Sequence, residues 1–339
     1  MRKPDFENNL LRILKGERPE RATLFEIIIH PKFFPILAEH EQEQEGELGA
    51  LRLEVEALAK AGYDFAPCYA STYKICLPKP KRKGDSKSLN ADAFITDWES
   101  FEKYPWSDPE DFDTSALEKI KPYLPEGMKL MCLGPGGVLE NVIELVGYDN
   151  LCFMLYEEPK LVETIFDYVG ERLLKYYEGA VGMESVGLLC SNDDWGFNTQ
   201  TFLSPDDLRK YVFPWHKKIV ELAHKNGKPC MLHSCGNYSK IIDDVIYDMK
   251  FDGRHSYEDN IIPVERAYSD LKGKIAVLGG IDINYLMTET PEHIYARCRN
   301  MLELSEECGG YALGSGNSIS RHMPQENYFA MLRAAWDMQ

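Results

Sequence analysis

Eight short apolar runs recur along the chain, with a longer helical pattern between most of them. They read TLFEIIIH (23–30), YDFAPCY (63–69), MKLMCLG (128–134), VGLLCSND (186–193), KPCMLHSC (228–235), FDGRHSY (251–257), KIAVLGG (274–280) and YALGS (311–315). Most are flanked by Gly or Pro and are too short for helices, so they read as strands. The stretches between them carry helix grammar. In SPDDLRKYVFPWHKKIVELAHKNG, Ser204 is the N-cap, Pro205 opens the first turn and two acids suit the dipole. Leu208, Val212, Trp215, Ile219 and Leu222 recur at helical spacing, Pro214 breaks the run in two and Gly227 ends it. TPEHIYARCRNMLELSEECGG repeats the pattern, with Thr290 as cap and Pro291 behind it. Strands alternating with helices eight times predict an α/β fold, a single-domain (β/α)8 TIM barrel over 1–339. An open doubly wound sheet would favour a GxGxxG turn after the first strand, and none stands there. Residues 78–115 depart from the alternation and read as an insertion after the second strand, a hairpin and cover over the barrel mouth.

Composition narrows the function class. The net charge of −17 argues against nucleic acid, whose phosphates need a basic surface. No stretch approaches the ~20 apolar residues of a membrane span. The opening MRKPDFENNLLRIL is charged and lacks the apolar core of a secretory leader, so a cytoplasmic protein is expected. Nine cysteines without a CxxC pair read as reduced thiols, mostly buried as small hydrophobes.

In a barrel the chemistry sits at the C-terminal ends of the strands. Those ends carry Asn192, Asp193, Asp194 and Trp195; His233 and Cys235; His255, Tyr257, Glu258 and Asp259; Asp282; and Ser315, Asn317 and Ser318. Each alone is what a strand end meeting water would show; the set points to a site. His233 and Cys235, two apart on a strand, face the same way. An imidazole and a thiolate so placed suit zinc, which needs a third ligand and an open position for catalysis. A buried cysteine beside a hydrogen-bonded histidine would look the same from spacing alone. Asp193, Asp194 and Glu258 could be ligands, general acid/base groups or helix caps.

Four segments carry a resemblance: LLRILKGERPERATLFE, DDWGFNTQTFLSPDDLRKYVFPWHKKIVELAHKNGKPCMLHSCGN, GGIDINYLMTETPEHI and GGYALGSGNSISRHMPQENYFAMLRAAW. In that order they resemble the uroporphyrinogen decarboxylase superfamily, and within it the corrinoid-dependent methyltransferases. The resemblance implies a (β/α)8 barrel. The decarboxylases work without a metal and carry an arginine-rich motif near the N-terminus and a catalytic aspartate at an early strand end. Here HPKFFPIL has no arginine, and YDFAPCY ends in Cys68 and Tyr69.

MLHSCGN is similar to the zinc element of the methyltransferase branch, which implies His233 and Cys235 as ligands. The thiol-methylating members have a second cysteine after the last strand; here the loop reads ALGSGNSI, with Ser315 and Asn317. Glu258, Cys190 or Asp193 are the candidates left for third ligand, Glu258 foremost. The resemblance implies methyl transfer between a small methylated substrate, such as a methoxylated aromatic, and the cobalt of a separate corrinoid protein. On that reading Asp193, Asp194 and Glu258 handle protons. Trp195, His255, Tyr257, Ser315 and Asn317 line the substrate pocket. The implied partners are a corrinoid protein, with a homodimer admitted. Two alternatives stand beside it: a metal-free decarboxylase of a tetrapyrrole or other carboxylate, and a non-catalytic corrinoid-binding barrel.

Overall fold

The apolar runs pair in the order in which they occur. In the computed structural model, which describes residues 2–40, 46–71, 89 and 93–338, seven of them form one parallel sheet in sequence order. The strands are β1 (Phe65–Tyr69), β2 (Lys129–Leu133), β3 (Val186–Asn192), β4 (Cys230–His233), β5 (Gly253–His255), β6 (Ala276–Leu278) and β7 (Tyr311–Ala312). Parallel neighbours require a crossover each time. Helix Pro159–Val181 precedes β3, Phe213–Lys225 precedes β4, Val264–Leu271 precedes β6 and Pro291–Glu306 precedes β7. Such a sheet is covered on both faces, so its strands are apolar throughout; Leu130, Met131 and Cys132 of β2 are all buried.

The first run forms no continuous strand. It makes two parallel bridges, Leu24 with Leu313 and Ile29 with Ile319. The second side of that pairing carries an extra residue, and it falls in the glycine-containing stretch 314–318. Gly314 lets the two backbones close: a Cβ there would stand 1.7 Å from the Phe25 carbonyl oxygen. The crossing interrupts the ladder. The same run also reaches the other edge of the sheet, where the Phe25 ring centroid lies 5.3 Å from that of Phe65 in β1. The sheet is therefore curled, with 23–30 between its edges. The expectation of eight strands becomes seven hydrogen-bonded strands and one bridged segment.

The caps fall where the residue types place them. Ser204 accepts from the Asp207 N–H and Thr290 from the His293 N–H. Pro214 interrupts its helix as expected: a π-helical stretch, Leu208–Val212, precedes the regular helix Phe213–Lys225. Of the expected insertion, 78–88 and 90–92 lie outside the described residues. Within 93–115 stand the helix Trp98–Lys103, capped by Asp97, and a 3-10 turn at Pro109–Asp111. Among the described residues, no helix is long and apolar enough to cross a membrane.

Register positions the site. Asn192 pairs with His233, and His233 with His255, so the ends of β3, β4 and β5 are level.

Candidate metal centre

Asp194, His233 and Cys235 meet at the ends of β3 and β4: His233 closes β4, and the other two stand two residues beyond the strand ends. One potential ligand atom from each lies within 4.8 Å of the others. The loops that carry them are locked by backbone contact. The Cys235 N–H donates to Asp194 Oδ1 at 2.8 Å. Gly236, at φ +105°, passes so close to Gly196 that a Cβ would stand 2.5 Å from its carbonyl oxygen. The glycine of MLHSCGN thus brings the β4 loop against the β3 loop, and Asp194 against Cys235.

The state of each donor follows from its neighbours. His233 Nδ1 lies 2.8 Å from His255 Nδ1, and His255 Nε2 lies 3.0 Å from the Ser315 carbonyl oxygen. A carbonyl only accepts, so His255 Nε2 carries the proton. Burial and the neighbouring His233 push His255 well below the usual imidazole range, so it is neutral and its Nδ1 accepts. His233 Nδ1 must then donate. Burial, with the Arg254 charge, lowers His233 to about 4, so it too is neutral and its Nε2 keeps a free lone pair. An imidazole held this way by a hydrogen bond on its other nitrogen is prepared as a metal ligand.

Burial and the nearby Asp194 push the Cys235 thiol up to about 12. Asn317 Nδ2 donates to Cys235 Sγ at 3.3 Å, and Ser256 Oγ lies 3.7 Å from the same sulfur. Burial, and then the adjacent Asp193 charge, raise Asp194 above the usual carboxylate range. Two acids held out of water, each favouring its proton, favour a divalent cation in place of those protons. One nitrogen, one sulfur and one carboxylate are a donor set that zinc accepts. The three residues fit the ion.

Asp194 takes the place that the sequence reading gave to Glu258, which is not in the cluster. Burial and the charges of Asp282 and Asp194 raise the Glu258 carboxyl. Cys190 is fully buried within β3 and burial lifts its thiol far above the usual range.

Asp193 points the other way. Its Oδ2 accepts from the Leu139 N–H and its Oδ1 from the Glu140 N–H, each at 2.9 Å, at the start of helix Val138–Val146. His216 Nε2 lies 2.9 Å from Oδ2, and His216 Nδ1 lies 2.8 Å from Ser191 Oγ. The order Ser191–His216–Asp193 looks like a nucleophile triad, but all three are sealed at 1% exposure or less. It ties β3 to two helices.

Of the residues expected to line a pocket, Asn317 and His255 touch the cluster directly, Asn317 at the Cys235 sulfur and His255 at the His233 ring. Trp195 is buried against Phe213, His216 and Tyr238. Tyr257 is buried with the Arg254 guanidinium 4.6 Å from its ring centroid. His255 backs His233. Ser315 is buried and donates through its N–H and Oγ to the two carboxyl oxygens of Glu26, at 2.7 and 2.6 Å. These residues support the site from beneath.

Glu26, absent from the sequence reading, closes that support. Burial raises its carboxyl to about 8. The sign follows from linkage. The unfolded chain ionises near the ordinary value while the folded chain still holds the proton. Stability is therefore full at low pH and falls as pH rises toward about 8. Glu26→Gln removes this loss. In urea melts at pH 6 and 8, wild type is expected to lose roughly 2 kcal/mol more than the variant between the two; equal losses would contradict the assignment.

Comparison with known proteins bears on the family and the fold. The profile of the family described as uroporphyrinogen decarboxylase (URO-D) matches residues 93–338. A uroporphyrinogen decarboxylase of Anaeromyxobacter dehalogenans (strain 2CP-C) is 26% identical over 208 residues, covering 59% of this chain and 56% of that protein. One from Synechococcus sp. (strain CC9605) is 27% identical over 192 residues, covering 53% of this chain and 49% of that protein. The matches span about half the length of these curated relatives. A solved methyltransferase from Methanosarcina mazei superposes with a TM-score of 0.71 at 17% identity, covering 99% of both chains. At that identity the likeness speaks for the fold.

Proposed function

The chain belongs to the uroporphyrinogen decarboxylase (URO-D) family, and within it we propose a zinc-dependent methyltransferase. It moves a methyl group between a small methylated compound and the cobalt of a separate corrinoid protein, on a single-domain (β/α)8 scaffold. The observation that carries this reading is the Asp194–His233–Cys235 cluster. Porphyrinogen decarboxylation has no use for a nitrogen, a sulfur and a carboxylate gathered at one point, whereas activation of a methylated heteroatom does. The M. mazei methyltransferase of the same fold adds support.

The residues divide the work. Asp194, His233 and Cys235 hold the ion, and His255 fixes the His233 ring so that Nε2 is the donor. The Asn317 amide shares the charge of the Cys235 sulfur. Bound there, zinc would supply a Lewis acid for a substrate heteroatom. Glu258, half-buried and raised by burial and by the charges of Asp282 and Asp194, retains its proton better than a free glutamate and would serve as the acid for a departing heteroatom. Asp193 keeps the β3 end rigid and touches no substrate.

The test pairs two assays on one preparation. Zinc-loaded protein is incubated with Co(I) cobalamin and a panel of methoxylated aromatics and methylamines, and separately with uroporphyrinogen. Methylation of the cobalt, lost in Cys235→Ser, is the expected result. Turnover of uroporphyrinogen without cobalt methylation would replace this reading with the decarboxylase.

A further inference from the structure

Arg254 of β5 is a buried cation without a counter-ion. It keeps 4% of its surface, and among the described residues no ion pair reaches its guanidinium. Arginine does not shed its proton, and a buried charge without a partner is costly. Two aromatic rings offset part of that cost. The guanidinium carbon lies 3.6 Å from the Tyr238 ring centroid and 4.6 Å from that of Tyr257. Rings take up the face of the guanidinium, not the N–H groups in its plane. Nε is left without a hydrogen-bond partner, and so is the neighbouring Tyr257 hydroxyl.

These orphaned donors stand beside the metal centre. The Tyr238 hydroxyl donates to the Cys235 carbonyl oxygen at 3.2 Å. Ser256, two residues on from Arg254, brings its Oγ to 3.7 Å from the Cys235 sulfur. The Arg254 charge is felt at His233 and at Glu258. The nearby acids have other partners. Asp193 accepts from two backbone N–H groups and pairs with His216, Asp194 accepts from the Cys235 N–H, and Asp282 accepts from the N–H groups of Asp259 and Tyr285. Glu258 feels the guanidinium but, among the described residues, makes no ion pair with it. The cluster is not sealed: Tyr238 keeps 7% of its surface, and Asp194, His233, Cys235 and Glu258 beside it are half-buried.

We propose that Arg254 and Tyr257 form a subsite for the carboxylate of a small molecule lying beside the metal centre. One fixed positive charge suits a monoanion, and the free Nε edge of a guanidinium matches the two oxygens of a planar carboxylate. The Tyr257 hydroxyl adds a third donor. That this carboxylate belongs to the methylated substrate rests on the function proposed above; the binding itself does not.

Calorimetric titration of the full chain at low ionic strength tests it, with acetate and benzoate as carboxylate probes and acetamide and benzamide as their neutral counterparts. Each carboxylate is expected to bind at least about tenfold more tightly than its amide. Arg254→Met should weaken both carboxylates by about 30-fold or more, yet leave the melting temperature unchanged or raised, because it removes an unpaired buried charge. Arg254→Lys keeps the charge without the fork and should recover little of the affinity. Tyr257→Phe should weaken binding by about 3- to 10-fold. Zinc-loaded and metal-free protein should both bind. Absence of carboxylate binding at millimolar concentration overturns the proposal, as does equal binding of the amides. So does a lowered melting temperature in Arg254→Met, which would make the cation a part of the fold, or carboxylate binding that needs zinc, which would put the anion on the metal. Zinc retained without carboxylate binding would leave the metal reading intact, and carboxylate binding without zinc would leave only this subsite.

Discussion

Asp193→Ala is expected to cost the fold about 3 to 5 kcal/mol, although the residue lies next to a metal ligand. The carboxylate accepts from two backbone N–H groups at a helix start and from His216, with no exposure to water. Removing it leaves all three donors buried and unpaired. It also removes a negative charge from a helix N-terminus. Asparagine is no rescue, since its amide nitrogen must face one of those donors. Urea unfolding of apo protein is the measurement, with Asp194→Ala alongside. Asp194 satisfies one N–H, that of Cys235, so its loss should cost far less. Similar costs for the two variants would mean that the division into a structural and a ligating aspartate is wrong.

The second large effect is on metal affinity. His233→Ala and Cys235→Ser are each expected to weaken zinc on the order of 100-fold or more, by chelator competition. Neither residue bonds to a helix end or crosses the core, so both variants should fold. His255→Phe keeps a ring of similar size against Phe25 but removes the acceptor that orients His233. It is expected to weaken zinc by about 10- to 100-fold while leaving one equivalent bound. Glu258→Gln should leave zinc affinity within a few-fold of wild type.

The contrast between Asp193 and Asp194 shows where sequence reading stops. A two-residue spacing is a local property, so His233 and Cys235 were legible as a pair, although β4 ends at His233 and Cys235 stands two residues on in the loop rather than on the strand. The third ligand depends on the register between β3 and β4, which places Asn192 beside His233. Stepping two residues on from each brings Asp194 beside Cys235, while Asp193 has the opposite parity. One sequence carries no record of that register, so the adjacent aspartates looked alike. Caps at Ser204 and Thr290 were legible for the same reason as the ligand pair: their partners lie three residues away. Glu26 was not, because its partner Ser315 is 289 residues distant. Its hydropathy pattern, an acid inside TLFEIIIH, was nevertheless a signal, since a charged residue within an apolar run needs a reason. The run itself was recognised as a strand, but its ladder is set by Gly314 against Phe25, a contact between the two ends of the chain.

Cobalt(II) substitution tests the central claim most directly, because a cobalt–thiolate bond announces itself by a charge-transfer band in the near ultraviolet. Apo protein titrated with cobalt(II) should saturate at one equivalent with such a band. Cys235→Ser should abolish the band, Asp194→Asn should alter the visible ligand-field bands, and Glu258→Gln should change neither. A spectrum without a thiolate band, or one that follows Glu258 and ignores Asp194, would contradict a metal centre built from Asp194, His233 and Cys235.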